Sequence, residues 1–137
     1  MHESIDRLQR LANDWPRVCL GSSGEYSRVG DGKWWGRMSD AMHAVCDRNG
    51  NPICKLHGLR MLSQYVFTHL QLASADSTSI ARNVGVDSRW TGTYTPASKE
   101  SRAAVMRNRI EAHQSLTFLS DDLRMAKTVQ IGLFDLM

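Results

Sequence analysis

Residues 53–58, Ile-Cys-Lys-Leu-His-Gly, form the short apolar run on which the fold of this chain depends. A turn-forming sequence, Arg-Asn-Gly-Asn-Pro, occupies 48–52 immediately before it, and apolar residues at helical spacing over 61–70 follow it. The run therefore predicts a buried strand between a turn and a helix. The same alternation recurs on both sides of it.

Towards the amino terminus, residues 17–20 predict a second strand, which ends at the turn cluster 21–24. A helix precedes this strand, with Ser4 as its N-cap, and Pro16 prevents that helix from continuing. Another amphipathic helix is predicted from Lys33 to about Asp47.

Towards the carboxyl terminus, residues 72–75 predict a third strand. A polar segment follows, in which Gly85 stops a helical turn over 77–83, and a long helix is expected over about 98–114. The tail is predicted to be helical over 121–127.

Helices and strands that alternate with short connections predict parallel strands joined by crossover helices. The expected fold class is therefore α/β: a partial (β/α) barrel-like unit with about three parallel strands, flanking helices and C-terminal helices. Length predicts a single domain over 1–137, in which 115–137 is a C-terminal tail or an edge-covering helix.

Composition excludes several classes of protein. The 137 residues include 42% hydrophobic and 23% charged residues, which is typical of a globular chain. No apolar run reaches the ~18 residues of a membrane span, and the first residues lack the apolar core of a signal peptide, so a cytoplasmic location is expected. The three cysteines, an odd number, argue against a disulfide framework. A net charge of +3 permits nucleic-acid binding without requiring it.

Ligands of parallel α/β folds bind at the carboxyl ends of the strands. This rule selects three segments, 21–25, 57–60 and 74–78, and places them on one rim. The glycines at 21 and 24 let the backbone approach a flat ligand, with Glu25 behind them as an acceptor, although a plain tight turn explains the same residues. The segment is neither GxGxxG nor a P-loop.

Two side chains on this rim can carry chemistry. Asp76 follows the third strand, where a carboxylate acts as a nucleophile or a general base, or caps the next helix. His57 is a candidate catalyst or a structural histidine. No metal site is expected, because Cys46, Cys54 and His57 lack a clear fourth ligand. No GxSxG elbow supports a serine hydrolase.

The helix over 98–114 carries a cluster of basic residues, which either contacts a phosphate backbone or forms a solvated helix face. Its members are Lys99, Arg102, Arg107 and Arg109. The tryptophans at 34, 35 and 90 are expected to pack in the core.

Four segments together resemble phage proteins related to tRNA-guanine transglycosylases, a group that places 7-deazaguanine bases in DNA. They are Leu-Gly-Ser-Ser-Gly-Glu at 20–25, His-Gly-Leu-Arg-Met-Leu at 57–62, Ala-Ser-Ala-Asp-Ser-Thr at 73–78 and Ile-Ala-Arg-Asn at 80–83. The resemblance covers about residues 2–114 and only the carboxyl-terminal part of the family's barrel. The family's CxCxxC zinc cluster is absent.

The resemblance implies that Asp76 attacks C1′ of the nucleoside and displaces guanine through a covalent intermediate. It implies a base-binding group and a set of nucleic-acid backbone contacts, and no cofactor. The base-binding group is Gly21, Ser22, Ser23, Gly24, Glu25 and His57; the backbone contacts are Arg82, Lys99, Arg102, Arg107 and Arg109.

The expected function is base exchange of guanine for a 7-deazaguanine in nucleic acid, in DNA rather than tRNA, inside a bacterial host cell. The alternative is a non-catalytic phage binding protein that inhibits a host factor or defence system. Because the resemblance lacks the first part of the barrel, a homodimer or a companion chain that supplies the missing strands is a further expected partner.

Overall fold

The computed structural model describes residues 3–77, 90 and 92–117. The first helix, α1, spans Ile5–Asp14, and its N-cap is Ser4, whose Oγ accepts the N–H of Arg7 at 3.2 Å. The helix ends at Trp15, which is extended because Pro16 disfavours a helical conformation there. Both predicted ends of α1 are therefore confirmed.

Three strands form one parallel sheet. They are β1 (Arg17–Gly21), β2 (Lys55–Leu59) and β3 (Ser74–Ala75), in the spatial order β1-β2-β3. Cys19 lies opposite His57, and His57 lies opposite Ser74. The predicted α/β class with three parallel strands is confirmed.

The connections between the strands are helical. A 3₁₀ turn (Gly24–Tyr26) and α2 (Gly32–Val45) follow β1; α3 (Gln64–Phe67) follows β2; and α4 spans Lys99–Glu111. The prediction of a helix over 61–70 is wrong in its extent, because α3 is a single turn. Leu62 donates its N–H to the carbonyl of Asp76 at 3.2 Å, which holds the start of the predicted helix beside β3.

The core lies on one face of the sheet. Val18, Leu20 and Leu56 point into it and are buried together with residues of α2 such as Trp34, which is 0% exposed, and Met38. Trp90 is 4% exposed, so the core positions predicted for Trp34 and Trp90 are confirmed. The alternate residues of β1 and β2 point to the opposite face and are exposed or half-buried.

Within the described residues, no helix is long and apolar enough to cross a membrane. The helices expected over 77–83 and 121–127 and the covering role expected for 115–137 fall largely or wholly outside those residues.

Candidate functional site

The three segments selected from the sequence meet at one edge of the sheet. Because all strands are parallel, the carboxyl ends of β1 at Gly21, β2 at Leu59 and β3 at Ala75 point the same way. The register sets His57 opposite Ser74 and therefore brings Asp76 level with Leu59. This edge is the candidate site.

His57, Ser74 and Asp76 form a hydrogen-bonded group at this edge. The His57 Nδ1 lies 2.8 Å from the Ser74 Oγ, and its Nε2 lies 3.4 Å from the Asp76 Oδ2. The side chain of His57 is 29% exposed and that of Asp76 is 56% exposed, so the carboxylate is open to a ligand. Positions 57, 74 and 76 share one face of the sheet because strand residues alternate.

The two contacts of His57 determine how its ring acts when it is neutral. A carboxylate only accepts hydrogen bonds, so Nε2 carries the proton and donates it to Asp76. Nδ1 then accepts the hydroxyl proton of Ser74. Ser74 thereby orients the imidazole, and the imidazole orients one oxygen of Asp76.

The other oxygen of Asp76 is held by the backbone. Arg60 donates its N–H to Oδ1 at 2.9 Å, and Asp76 donates its own N–H to the carbonyl of Gly58 at 3.1 Å. Arg60 has φ of 63°, a left-handed conformation that costs a non-glycine residue about 1 kcal/mol. This turn at the end of β2 aims the Arg60 amide at the carboxylate.

These hydrogen bonds keep Asp76 ionised. The Arg60 N–H, followed by the His57 side chain, lowers the pKa of the Asp76 carboxyl below its usual 3.8. At neutral pH the group is therefore a carboxylate whose Oδ1 is held by the Arg60 amide and whose Oδ2 contacts the His57 ring, in a side chain that is 56% exposed. An ionised, oriented and exposed carboxylate has the properties that a nucleophile needs.

The loop after β1 is held by its own side chains. Ser22 is buried, and its Oγ accepts the indole N–H of Trp34 at 2.8 Å. Gly24 has φ of 58° and opens the 3₁₀ turn, so the tight turn here depends on glycine. Gly21 ends β1, and Ser23 is exposed directly before the 3₁₀ turn.

Glu25 lies on the 3₁₀ turn, and its Oε2 accepts a hydrogen bond from the Lys33 Nζ at 2.5 Å. This contact lowers the pKa of Glu25 and raises that of Lys33. The structure thus brings His57 and Asp76 into contact, whereas the described contacts of Glu25 are with residues near it in the sequence.

The basic residues of α4 are mostly engaged within the chain. Arg102 is buried, and its guanidinium donates to the carbonyls of Pro96 and Ala97, so it holds the turn that precedes the helix. Arg107 lies 3.8 Å from Glu111, and Arg109 stacks 5.2 Å from the ring centre of Trp90. Lys99 is exposed at the first helical position. The prediction for Arg82 lies outside the described residues.

The sequence prediction included Ser74 and Arg60 in the rim segments 74–78 and 57–60 but assigned a role to neither. Ser74 was available from the alternation of the third strand, which places it on the same side as Asp76. The Arg60 amide had no signal, because its role depends on a left-handed turn that an arginine seldom adopts.

Cys46 and Cys54 do not join this site, since they lie near the turn before β2. Burial raises the pKa of the Cys46 thiol to about 11. Across the described part of the chain, no group of three His, Cys, Asp or Glu residues is arranged to hold a metal ion.

Comparisons of the chain with protein-family models, with curated proteins and with solved structures found no match. The fold and the site themselves define an α/β chain in which a carboxylate, an imidazole and a hydroxyl group lie together at the carboxyl edge of a parallel sheet.

Proposed function

We propose that this chain exchanges a purine base in DNA through a covalent intermediate on Asp76, as a partial barrel of the transglycosylase type. The observation that supports the proposal is the ionisation, orientation and exposure of the Asp76 carboxylate. The carboxylate is ionised, fixed at one oxygen by the Arg60 amide, and more than half exposed at the carboxyl edge of the sheet.

In the first step of the proposed reaction, Oδ2 of Asp76, the oxygen that His57 contacts, forms a bond to C1′ of the target nucleoside. The bond from C1′ to N9 of guanine breaks, and guanine leaves with the electron pair and takes up a proton. In the second step, N9 of a 7-deazaguanine attacks C1′, loses its proton, and releases Asp76 as a carboxylate. Two displacements at C1′ return the original configuration.

His57 and Ser74 act as positioning residues in this scheme. The Nε2 proton of His57 stabilises the carboxylate before attack and after release, when Asp76 carries its charge. Ser74 fixes the ring through Nδ1. Removing Ser74 should therefore reduce the rate less than removing Asp76, because Arg60 still holds one oxygen.

The experiment that tests the proposal is exchange of labelled guanine in a DNA oligonucleotide by the purified chain and its Asp76→Asn variant. Asparagine keeps the size of the side chain and accepts the Arg60 hydrogen bond through its carbonyl oxygen, yet it is not a nucleophile. We expect exchange by the parent chain and none by the variant, and the variant should still unfold in one cooperative thermal transition at neutral pH. Exchange by Asp76→Asn would overturn the role of Asp76.

The alternative proposal, a non-catalytic phage protein that binds a host factor, has its own support. Two side chains of the loop proposed to read the base are already paired within the chain: Ser22 accepts from Trp34, and Glu25 accepts from Lys33. If the parent chain shows no exchange but forms a stoichiometric complex with a purified host protein, and Asp76→Asn forms the same complex, the alternative is favoured.

A further inference from the structure

One face of the sheet is left uncovered in the described structure. Arg17 and Cys19 of β1 and Lys55 of β2 are exposed, and His57, the register partner of Cys19, is half-buried. Parallel sheets in soluble proteins have both faces covered, so a parallel sheet with an open face is unusual. We call the side of the sheet that carries these four residues the open face.

The amino end of the open face is positively charged. Arg17 and Lys55 are register partners on neighbouring strands, so their side chains leave the sheet side by side. Two like charges in this arrangement repel each other. Within residues 3–77, 90 and 92–117, no carboxylate forms an ion pair with either of them. An anionic ligand at this end of the sheet would supply a counter-charge for both side chains.

An exposed tryptophan lies just before this pair in the chain. Trp15 has extended backbone and is separated from Arg17, the first residue of β1, by the bend at Pro16. It is 61% exposed, whereas Trp34 and Trp90 are at most 4% exposed. An exposed indole beside two cations is the combination with which proteins bind single-stranded nucleic acid.

The open face leads directly to the candidate site. Asp76 is level with Leu59, and Lys55 lies four residues before Leu59 on β2, which corresponds to about 13 Å along the strand. Trp15 lies just beyond the amino end of β1. The two cations and the carboxylate therefore lie on the same face of the sheet, and the indole lies near the end that carries the cations.

We infer that the open face binds single-stranded DNA, with Arg17 and Lys55 against the phosphates and Trp15 stacked on an unpaired base. This inference rests on the proposed function and deepens it by naming the form of the substrate. A base in a duplex is already stacked on its neighbours, so stacking on Trp15 requires an unpaired base. The phosphate contacts thus lie on the sheet rather than on α4, where Arg102 is buried.

The test is binding of a fluorescein-labelled oligothymidylate of about twelve nucleotides, measured by anisotropy over a range of salt concentrations. Each phosphate contact on a single strand contributes roughly 0.7 to the slope of log K against log salt, so Arg17→Ala/Lys55→Ala should reduce the slope by roughly 1.4. Trp15→Ala should weaken binding roughly 5- to 150-fold. A duplex of the same length should bind more weakly than the single strand.

Two double variants with the same change in net charge serve as controls. Arg10→Ala/Arg48→Ala removes exposed charges from α1 and from the turn before β2 and should leave the slope unchanged. The inference is overturned if this control lowers the slope as much as Arg17→Ala/Lys55→Ala does. It is also overturned if the slope falls only in Lys99→Ala/Arg107→Ala, because the contacts then lie on α4.

Sedimentation of the same samples completes the test. If the chain dimerises through these residues and does not bind the oligonucleotide, the open face binds a second copy of the chain, and the inference is overturned. If the parent chain binds the oligonucleotide but shows no base exchange, the proposed function is wrong and this inference stands. If the parent chain shows base exchange but Arg17→Ala/Lys55→Ala binds the oligonucleotide as well as the parent, this inference is wrong and the proposed function stands.

Discussion

Gly58, in the middle strand, tests how closely the site is packed against the core. A Cβ at this position would lie 2.7 Å from the Leu72 Cδ1 and 3.0 Å from both the Cβ and the Sδ of Met61. The ends of the Leu72 and Met61 side chains can move, but the Met61 Cβ is attached to the backbone. Gly58→Ala therefore requires the backbone at Met61, two residues after β2, to shift and the Leu72 side chain to move.

Overpacking of this kind costs about 1–3 kcal/mol. For a chain of this length, 1 kcal/mol lowers the melting temperature by roughly 3–4 °C, so we expect a decrease of about 3–12 °C. Thermal unfolding followed by circular dichroism measures it. The Gly58 carbonyl also accepts the Asp76 N–H, so the same change should reduce base exchange if the proposed function holds.

Gly36 is the matched control. It lies within α2, and nothing approaches a Cβ there within 4 Å outside the helix's own backbone. Gly36→Ala should raise the free energy of unfolding by about 0.5–1 kcal/mol, because alanine restricts the unfolded chain and favours a helix. Glycine to alanine should thus lower the free energy of unfolding at position 58 and raise it at position 36. A Gly58→Ala chain as stable as the parent would contradict the packing described here.

Three further predictions concern individual contacts. Ser22→Ala leaves the buried Trp34 indole N–H without an acceptor, so it should lower the free energy of unfolding by about 1–3 kcal/mol, measured by urea unfolding. If Ser22→Ala lowers it equally in a Trp34→Phe background, the hydrogen bond is not the cause. Because the folded pKa of Asp76 is below 3.8, its contribution to stability is present above that pH and is lost as the pH falls through the folded value. The loss of stability at acidic pH should then be shallower in Asp76→Asn, and identical pH profiles would refute the assignment. With its pKa at about 11, Cys46 has a thiolate fraction of about 0.1% at pH 8, so iodoacetamide should label exposed Cys19 first, as peptide mass spectrometry can verify.

The sequence was sufficient for the order of elements because its signals are local. Ser4 and Pro16 set the ends of α1, and apolar spacing defined α2 to within about two residues. The parallel order of the strands follows from alternation with short connections. The rim that joins His57 and Asp76 followed from the same rule.

The errors have causes that local patterns do not contain. The predicted strand at 53–58 is displaced to Lys55–Leu59, because Pro52 pairs with Cys46 and the Ile53 N–H is bonded to the carbonyl of Val45. The N–H of Leu62 bonds to Asp76, fourteen residues further along the chain. Such long-range hydrogen bonds override helical spacing.

The basic cluster of α4 shows a second limit. The sequence pattern places Arg102 on a solvated helix face, but the side chain is buried. Its guanidinium donates to two carbonyls before the helix, which need donors. Charge counts in a sequence do not reveal which cations are engaged. Arg17 and Lys55, by contrast, lie in strands that read as apolar, and only the register shows that they are neighbours.

The central claim, that Asp76 forms a bond to C1′, is tested most directly by trapping the intermediate. The chain is mixed with a single-stranded guanine-containing oligonucleotide without an incoming base, denatured, and analysed by mass spectrometry. We expect a chain joined to an oligonucleotide that has lost one guanine, with the modified peptide containing Asp76, and no such species with Asp76→Asn. An adduct that persists in Asp76→Asn, or one that maps to another residue, would contradict the claim.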